Sequence, residues 1–100
     1  MSRPPLLTEA EIADGLTDLA DWSRNGDALV GAFRFPSFRD AMAFMARVAV
    51  HAERLDHHPD WSNSYRDVRM RLTTHRAANG RGVTALDLTL ARLASEAAGE

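Results

Sequence analysis

FRDAMAFMARVAVHAERL, residues 38–55, is the most strongly patterned stretch of this sequence. Its apolar residues recur at gaps of three and four positions, so they share one face of a helix. These residues are Phe38, Met42, Met45, Val48, Ala49, Ala52 and Leu55. Ser37 and Asp40 can cap the first turn. The pattern predicts an amphipathic helix over about 38–56, whose apolar face needs a second layer to cover it.

A short helix and a hairpin are predicted before this long helix. Thr8 and Glu11 have the spacing of a capping box, and apolar residues follow at helical intervals, which predicts a helix over about 8–20. Asn25-Gly26 is a strong tight-turn dipeptide between two strand-like runs, so a β-hairpin is expected there. Gly31 lies inside the second run, where a glycine indicates a bulge or a close backbone approach.

A strand, a loop and a last helix are predicted after Pro59. The strand alternates between one buried and one exposed face. Its inward residues are Val68, Met70, Leu72 and Thr74, and its outward residues are Arg69, Arg71, Thr73 and His75. A hairpin around Arg66-Asp67 is compatible with the sequence, and the turn-rich run RAANGRG, residues 76–82, predicts a loop. Thr84 and Asp87 can then cap a helix whose apolar stripe comprises Leu86, Leu90, Leu93 and Ala97.

The predicted order α-β-β-α-β-β-α is that of an α+β two-layer sandwich. In such a fold the helices pack on one face of a four-stranded antiparallel sheet. Residues 1–100 have room for one core, so a single domain is expected. A hydrophobic share of 45% is typical of a globular chain rather than a disordered one.

Charge and cysteine content exclude several classes of function. The net charge of −2 gives no general attraction for nucleic acid or for an anionic membrane. The absence of cysteine excludes disulfides and thiol chemistry. The opening run MSRPPLLTEAEIADG has no apolar segment typical of a signal peptide, and no stretch approaches the length of a membrane span. A cytoplasmic protein is therefore expected.

Two adjacent histidines stand directly before a proline in the segment ERLDHHPDW, residues 53–61. Because proline disfavours helical geometry in the residue before it, His58 is predicted to leave the helix. A third histidine, His75, comes at the far end of the alternating strand. Helix ends and strand ends are where folds often build sites, since the scaffold holds them while the surface exposes them.

Three interpretations of these histidines remain open from spacing alone. A histidine at a helix end can simply interact with the helix dipole. A metal site of His57, His58 and His75, with His51 as a further ligand, is disfavoured because adjacent ligands rarely reach one ion. The third interpretation is proton transfer without a cofactor, since imidazoles donate and accept protons near neutral pH. Its possible carboxylate neighbours are Glu53, Asp56 and Asp87.

The spaced residues Glu53-x-x-x-His57-His58-Pro59, then Tyr65, His75 and Asp87, resemble the signature of the pterin-4a-carbinolamine dehydratases. FMARVAVHAERLDHHPDW, residues 44–61, similarly resembles that family's long helix running into its histidine pair. The likeness extends from about residue 7 to residue 97, and includes Asp21-Trp22 and the run Thr73 to His75.

This resemblance implies an enzyme that removes water from a 4a-hydroxytetrahydropterin and gives the quinonoid dihydropterin. Such a reaction recycles the cofactor of aromatic amino acid hydroxylases, so a hydroxylase is an implied client. The elimination needs an acid and a base within hydrogen-bond reach. The family needs no metal and no organic cofactor, so none is expected here.

Carried over by position, the resemblance makes His57, His58 and His75 the catalytic residues. His58 would lie nearest the N5 proton, while His57 and His75 would assist departure of the hydroxyl group. The residues implied in substrate binding are Glu53, Asp56, Trp61, Thr74 and Asp87. Glu53 and Asp87 are expected to orient a histidine or to bond pterin nitrogens.

The segment between His75 and Asp87 departs from the family pattern. It is longer than is usual in the family, and Arg76 and Arg81 make it basic. A basic loop at the mouth of a site can favour an anionic substituent on the pterin, although a solvated and silent loop is the simpler expectation.

Two other classes of function are alternatives to the dehydratase. Some relatives act without turnover, as dimerisation partners of a transcription factor or as assembly chaperones, and they use the outer surface of the same fold. Direct nucleic-acid binding is disfavoured, because acidic residues balance the arginines and aromatic residues are sparse. By resemblance, a homodimer or a homotetramer is expected, and open sheet edges give a physical route to it.

Overall fold

A four-stranded antiparallel sheet forms one layer of the protein. The computed structural model describes residues 3–100. In chain order the strands are β1 (Trp22–Asn25), β2 (Ala28–Arg34), β3 (Asp60–Ser64) and β4 (Asp67–Leu72), and in space they lie in the order β1-β2-β4-β3. All three neighbouring pairs are antiparallel. The predicted α+β architecture is confirmed.

Three helices form the second layer and enclose one hydrophobic core with the sheet. They are α1 (Glu9–Leu16), α2 (Phe38–Leu55) and α3 (Ala85–Ala98). Phe44 of α2 is fully buried, and its ring centroid lies 5.0 Å from that of Phe33 and 4.8 Å from that of Phe35. Among the described residues, no helix has both the length and the apolar character to cross a membrane.

Gly31 allows a large side chain to lie flat on the sheet. A Cβ atom at this position would lie 2.9 Å from atoms of the Trp22 ring, which is closer than such atoms normally approach. The indole Nε1 of Trp22 donates to Ser95 Oγ of α3 at 3.0 Å. The close approach predicted at Gly31 is therefore made by the ring of Trp22. The hydrogen bond of the same ring links β1 to α3.

The first helix is shorter than the sequence predicts. Thr8 and Glu11 form the expected capping box, but α1 ends at Leu16 rather than near residue 20. Two tight backbone bonds, from Thr17 N–H to Asp14 O and from Leu19 N–H to Leu16 O, close the following turns. Leu19 is still buried, so its apolar character reflects packing and not helix membership.

Both predicted hairpins form, each with its turn one residue away from the predicted position. Asn25 pairs with Ala28, so the first loop consists of Gly26 and Asp27, and Gly26 has a φ of 61°. Ser64 pairs with Asp67, so the second loop is Tyr65-Arg66.

The alternating strand after the second hairpin ends earlier than predicted. β4 stops at Leu72, and Thr73 is buried because its hydroxyl donates to Asp27 O, against the outward position predicted for it. A separate two-stranded sheet follows, formed by β5 (Thr74–Ala77) and β6 (Gly80–Gly82). The prediction of an irregular loop over 76–82 is wrong, since a small hairpin occupies that segment.

The last helix begins where the sequence predicts, and its buried face matches the predicted stripe in part. Thr84 and Asp87 form the predicted capping box at its start. Leu86 and Leu93 are only half-buried, so the predicted stripe is partly wrong. The residues that α3 buries are Asp87, Leu90, Ala91, Ala94 and Ala97.

Candidate active site

The end of α2 is a left-handed turn that fixes the backbone of the histidine pair. Asp56 has a φ of 49°, its N–H bonds to Glu53 O at 3.2 Å, and the N–H of His57 bonds to Ala52 O at 3.0 Å. This pair of bonds is the Schellman arrangement, which closes a helix by satisfying its last carbonyl groups. The chain therefore leaves the helix at Asp56, close to the predicted end of α2, and His58 lies outside the helix as the position of Pro59 predicts.

His57 is buried and held by a carboxylate from α3. The residue is 9% exposed, Asp87 is fully buried, and His57 Nε2 lies 2.6 Å from Asp87 Oδ1. Asp87 thus reaches the histidine pair in spite of the lengthened segment that precedes it. A buried carboxylate paired with imidazole fixes the ring's orientation and favours a proton on the facing nitrogen.

The second oxygen of Asp87 binds two further donors. The backbone N–H of Thr84 donates to Oδ2 at 2.8 Å, and the hydroxyl of Thr74 donates to it at 2.9 Å. The hydroxyl oxygens of Thr74 and Thr84 lie 2.7 Å apart. Both threonines are buried, as is Asp87. Each oxygen of the carboxylate therefore has at least one hydrogen-bond partner within the protein.

His58 is held at the surface by a residue of the last turn of α2. Its Nε2 lies 3.1 Å from Glu53 Oε1, and the two side chains are 55% and 79% exposed. An exposed pair of this kind contributes little to stability. The contact orients the imidazole ring of His58. Because this ring is exposed, a molecule arriving from solvent can reach it, whereas His57 is buried.

His75 lies beside this network, on an irregular part of β5. Thr74 pairs with Gly82 and Ala77 pairs with Gly80, and the register shifts between them. His75 and Arg76 are both exposed, whereas a regular strand would turn successive side chains to opposite faces. The ring of His75 has no hydrogen bond within residues 3–100, but its backbone directly follows Thr74, which donates to Asp87.

The remaining residues predicted to bind substrate occupy three different environments. The hydroxyl of Thr74 is buried and committed to Asp87, so it faces the interior. Asp56 is exposed and supplies the left-handed end of α2. Trp61 is half-buried, pairs with Met70 in the sheet and packs against the core.

A groove lies elsewhere, on the face of the sheet that the helices leave open. It has a volume of about 630 Å³, and the histidines are not among its lining residues. Residues that line it include Ser23, Val30, Ala32, Asp60, Arg69 and Arg71. Within residues 3–100, no group of three or more His, Asp or Glu side chains is arranged to hold a metal ion.

One member of the site was not predicted from the sequence. The sequence predicts Thr84 as the cap of the last helix, but not its contacts with both Thr74 and Asp87. The available signal was the Thr-x-x-Asp spacing, which places the capping carboxylate beside the threonine's own backbone N–H.

Comparisons with known proteins point in one direction. The family model described as pterin 4 alpha carbinolamine dehydratase matches residues 5–97. A relative from Opitutus terrae, provisionally named a pterin-4-alpha-carbinolamine dehydratase, is 51% identical over 89 residues, which cover 89% of this chain and 90% of the relative. A relative from Mesorhizobium japonicum with the same provisional name is 48% identical over 94 residues, and the match covers 92% of each chain.

A solved structure agrees in fold as well as in sequence. The crystal structure of a transcriptional coactivator/pterin dehydratase from Brucella melitensis superposes with a TM-score of 0.87 at 41% identity, and covers 94% of this chain and 99% of that one. The chain belongs to the pterin 4 alpha carbinolamine dehydratase family.

Proposed function

We propose that this protein catalyses the dehydration of a 4a-hydroxytetrahydropterin to the quinonoid dihydropterin, with His57, His58 and His75 as its catalytic residues. The observation that carries this proposal is the bridge made by Asp87. One oxygen of that carboxylate binds His57 at the end of α2, and the other accepts from Thr74, the neighbour of His75. The bridge draws the two histidine-bearing segments to the same buried carboxylate.

The reaction is an elimination across the C4a–N5 bond. A base accepts the proton of N5, and the electron pair of the N5–H bond forms the C4a=N5 double bond. The C4a–O bond breaks as an acid protonates the departing hydroxyl, which leaves as water. Because one proton is taken and one is given, imidazoles can perform both steps at neutral pH without a cofactor.

Exposure supports a division of labour among the histidines. His58 is the more accessible of the adjacent pair, so it is the better candidate to accept the N5 proton. His57 and His75 would then assist departure of the hydroxyl. Glu53 and Asp87 would act as orienting carboxylates, since each lies within hydrogen-bond distance of one imidazole Nε2.

The names of the curated relatives favour an enzyme over an assembly partner without turnover. Quinonoid dihydropterin is a form that must be reduced before a hydroxylase can use it again. The client that we propose is therefore a pterin-dependent aromatic amino acid hydroxylase.

We also propose that the chain forms a homodimer or a homotetramer. β1 and β3 each have a neighbour on one side only within the four-stranded sheet, which leaves their outer edges open. Phe38, Val50 and Tyr65 are exposed apolar or aromatic residues that an assembly could cover. Light scattering coupled to gel filtration measures the mass directly, and a monomer at all concentrations would contradict this part of the proposal.

The enzymatic proposal is tested by the decay of 4a-hydroxytetrahydropterin generated in situ. We expect the wild-type protein to accelerate its conversion to quinonoid dihydropterin, followed by ultraviolet absorbance. His58→Ala should lower kcat by about 10²- to 10⁴-fold, the usual contribution of a general acid or base. His51→Ala, on another face of the same helix, is the matched control and should keep the wild-type rate. A wild-type protein without effect on the decay would refute the proposed activity.

A further inference from the structure

The buried threonines beside Asp87 form a directed chain of hydrogen bonds. The backbone N–H of Leu86 donates to Thr84 Oγ1 at 3.2 Å, and Thr74 Oγ1 donates to Asp87 Oδ2 at 2.9 Å. Between them lies the contact of 2.7 Å that joins the two hydroxyl oxygens. A hydroxyl group has a single proton. Because the hydroxyl of Thr74 donates its hydrogen bond to Asp87, the hydroxyl of Thr84 must be the donor in the contact between the two threonines.

The hydrogen bonds to Asp87 differ between its two oxygens. Its Oδ2 accepts one hydrogen bond from the hydroxyl of Thr74 and another from the backbone N–H of Thr84. Both lone pairs of Oδ2 are therefore engaged. The remaining oxygen, Oδ1, therefore faces His57 Nε2 alone, with one shared proton along the line of 2.6 Å.

From this arrangement we infer that Thr74 and Thr84 are positioning residues, which act through Asp87 to hold His57 in the tautomer that has its proton on Nε2. In that tautomer the second ring nitrogen, Nδ1, has a free electron pair. It is therefore the atom through which His57 can accept a proton and, once protonated, pass it to the departing hydroxyl. Thr74 thereby has a role in the site other than substrate contact. The inference about the threonines stands on geometry alone, whereas its consequence for turnover rests on the proposed function.

Thr84 can position Asp87 because it is also the cap of α3. The capping box already requires its hydroxyl and backbone N–H to be turned toward the first turn of α3. Asp87 occupies the third position of that turn, so the same geometry that starts the helix also holds the carboxylate. β5 then supplies Thr74 as the second donor to Oδ2.

The tautomer can be read directly from the ring nitrogens of His57 by ¹⁵N NMR, at about pH 8, where an unperturbed histidine is neutral. We expect the wild-type protein to have a protonated Nε2 and an unprotonated Nδ1. In Thr74→Val, which removes one donor to Oδ2, the signals should move toward the average of two exchanging tautomers. Thr74→Ser keeps a hydroxyl and should restore the wild-type pattern.

Thr73→Val is the matched control for a loss of structure. Thr73 is the neighbouring residue, equally buried, and its hydroxyl bonds to backbone oxygens rather than to Asp87. Its replacement should leave the His57 signals unchanged. An unprotonated Nε2 in the wild-type protein would overturn the inference without any variant, as would a folded Thr74→Val with the wild-type signals.

Kinetics give a second measurement that a purely structural role would not affect. For Thr74→Val we expect kcat to fall about 10- to 100-fold, the size of effect known for residues that orient a functional side chain through a hydrogen bond. KM should change less than about twofold. Thr74→Ser should restore kcat, and the control Thr73→Val should keep the wild-type value. If the protein has no dehydratase activity while the NMR pattern is as expected, the proposed function fails and the positioning role of the threonines stands.

Discussion

Asp56 closes the end of α2 through its backbone. It is in the left-handed region, with a φ of 49°, where any residue with a Cβ atom is disfavoured by about 1–2 kcal/mol. Its side chain has no hydrogen bond within residues 3–100, whereas its backbone N–H closes α2. The family resemblance implies a contact with substrate at this position, and the backbone geometry supplies a second reason for a small polar residue there.

Asp56→Gly and Asp56→Val separate these two roles. Glycine has no Cβ penalty, so we expect Asp56→Gly to raise the free energy of unfolding by as much as about 1 kcal/mol. Asp56→Val should lower it by about 1–2 kcal/mol, because a β-branched residue tolerates this backbone poorly. Urea denaturation measures both changes. If Asp56 contacts the substrate, folded Asp56→Gly will lose activity; an unchanged kcat/KM would leave the helix end as its only role.

The spacing of the motif residues could be interpreted from the sequence, but their pairing could not. Glu53 and His58 are close along the chain, so their contact at a helix end follows from local geometry. His57 and Asp87 are far apart in sequence, and their contact depends on where β5, β6 and the start of α3 are placed. The role of Thr84 as a helix cap could be predicted from the sequence, but its contact with Thr74 depends on the same placement.

The paired strands β2 and β4 contain an ion pair at the far end from the histidines. Arg34 and Asp67 are opposite each other in the register, and Arg34 Nε donates to Asp67 Oδ1 at 2.8 Å. This hydrogen bond, with the attraction of nearby guanidinium groups, lowers the pKa of the Asp67 carboxyl below its ordinary value, against a smaller opposing effect of desolvation. A lowered pKa in the folded state means that the pair stabilises the fold above the pKa of the unfolded chain, and that this stabilisation is lost as the pH falls through the folded value.

Replacing the arginine should therefore change one titration and little else. In Arg34→Gln we expect the pKa of Asp67 to rise toward the ordinary value of about 3.9, since the main cause of its shift is removed. A ¹³C NMR titration of the carboxyl groups measures this shift, with Asp14 as the internal control. Because both partners are exposed, added salt should weaken the effect in the wild-type protein. An unchanged pKa of Asp67 in the variant would contradict this account of the pair.

Elements with a long periodic pattern were predictable, whereas the β5–β6 hairpin was not. α2 ends within one residue of its predicted position, because both its end signals are local. Its predicted stripe is partly wrong, since Phe38 is exposed while Ala41 and Phe44 are buried. β6 has only three residues, two of them glycine, which carries no strand pattern. The segment is held from a distance instead: Ala78 N–H bonds to Pro4 O, and Leu6 N–H bonds to the side chain of Asn79. Local sequence patterns do not reveal hydrogen-bond partners that lie more than 70 residues away along the chain.

The layers of the whole molecule meet at a cluster of aromatic rings. Phe44 of α2 lies between Phe33 and Phe35, at the end of β2, with ring centroids 5.0 Å and 4.8 Å away. Phe44 is fully buried, so its ring has no alternative solvated position. A domain of this size has a total stability of only about 5–15 kcal/mol, so the loss of one such ring is a large fraction of the whole.

We expect Phe44→Ala to lower the free energy of unfolding by about 3–5 kcal/mol, because the cavity it leaves lies between two layers that cannot close on it independently. Phe38 offers a matched control, since it is the same residue type in the same helix but 49% exposed. Phe38→Ala should change the free energy of unfolding by less than about 0.5 kcal/mol for a monomer. Urea denaturation of both variants at several protein concentrations makes the comparison. Should Phe38→Ala prove as costly as Phe44→Ala, and the cost depend on concentration, the core of the working protein would extend across a subunit interface at α2.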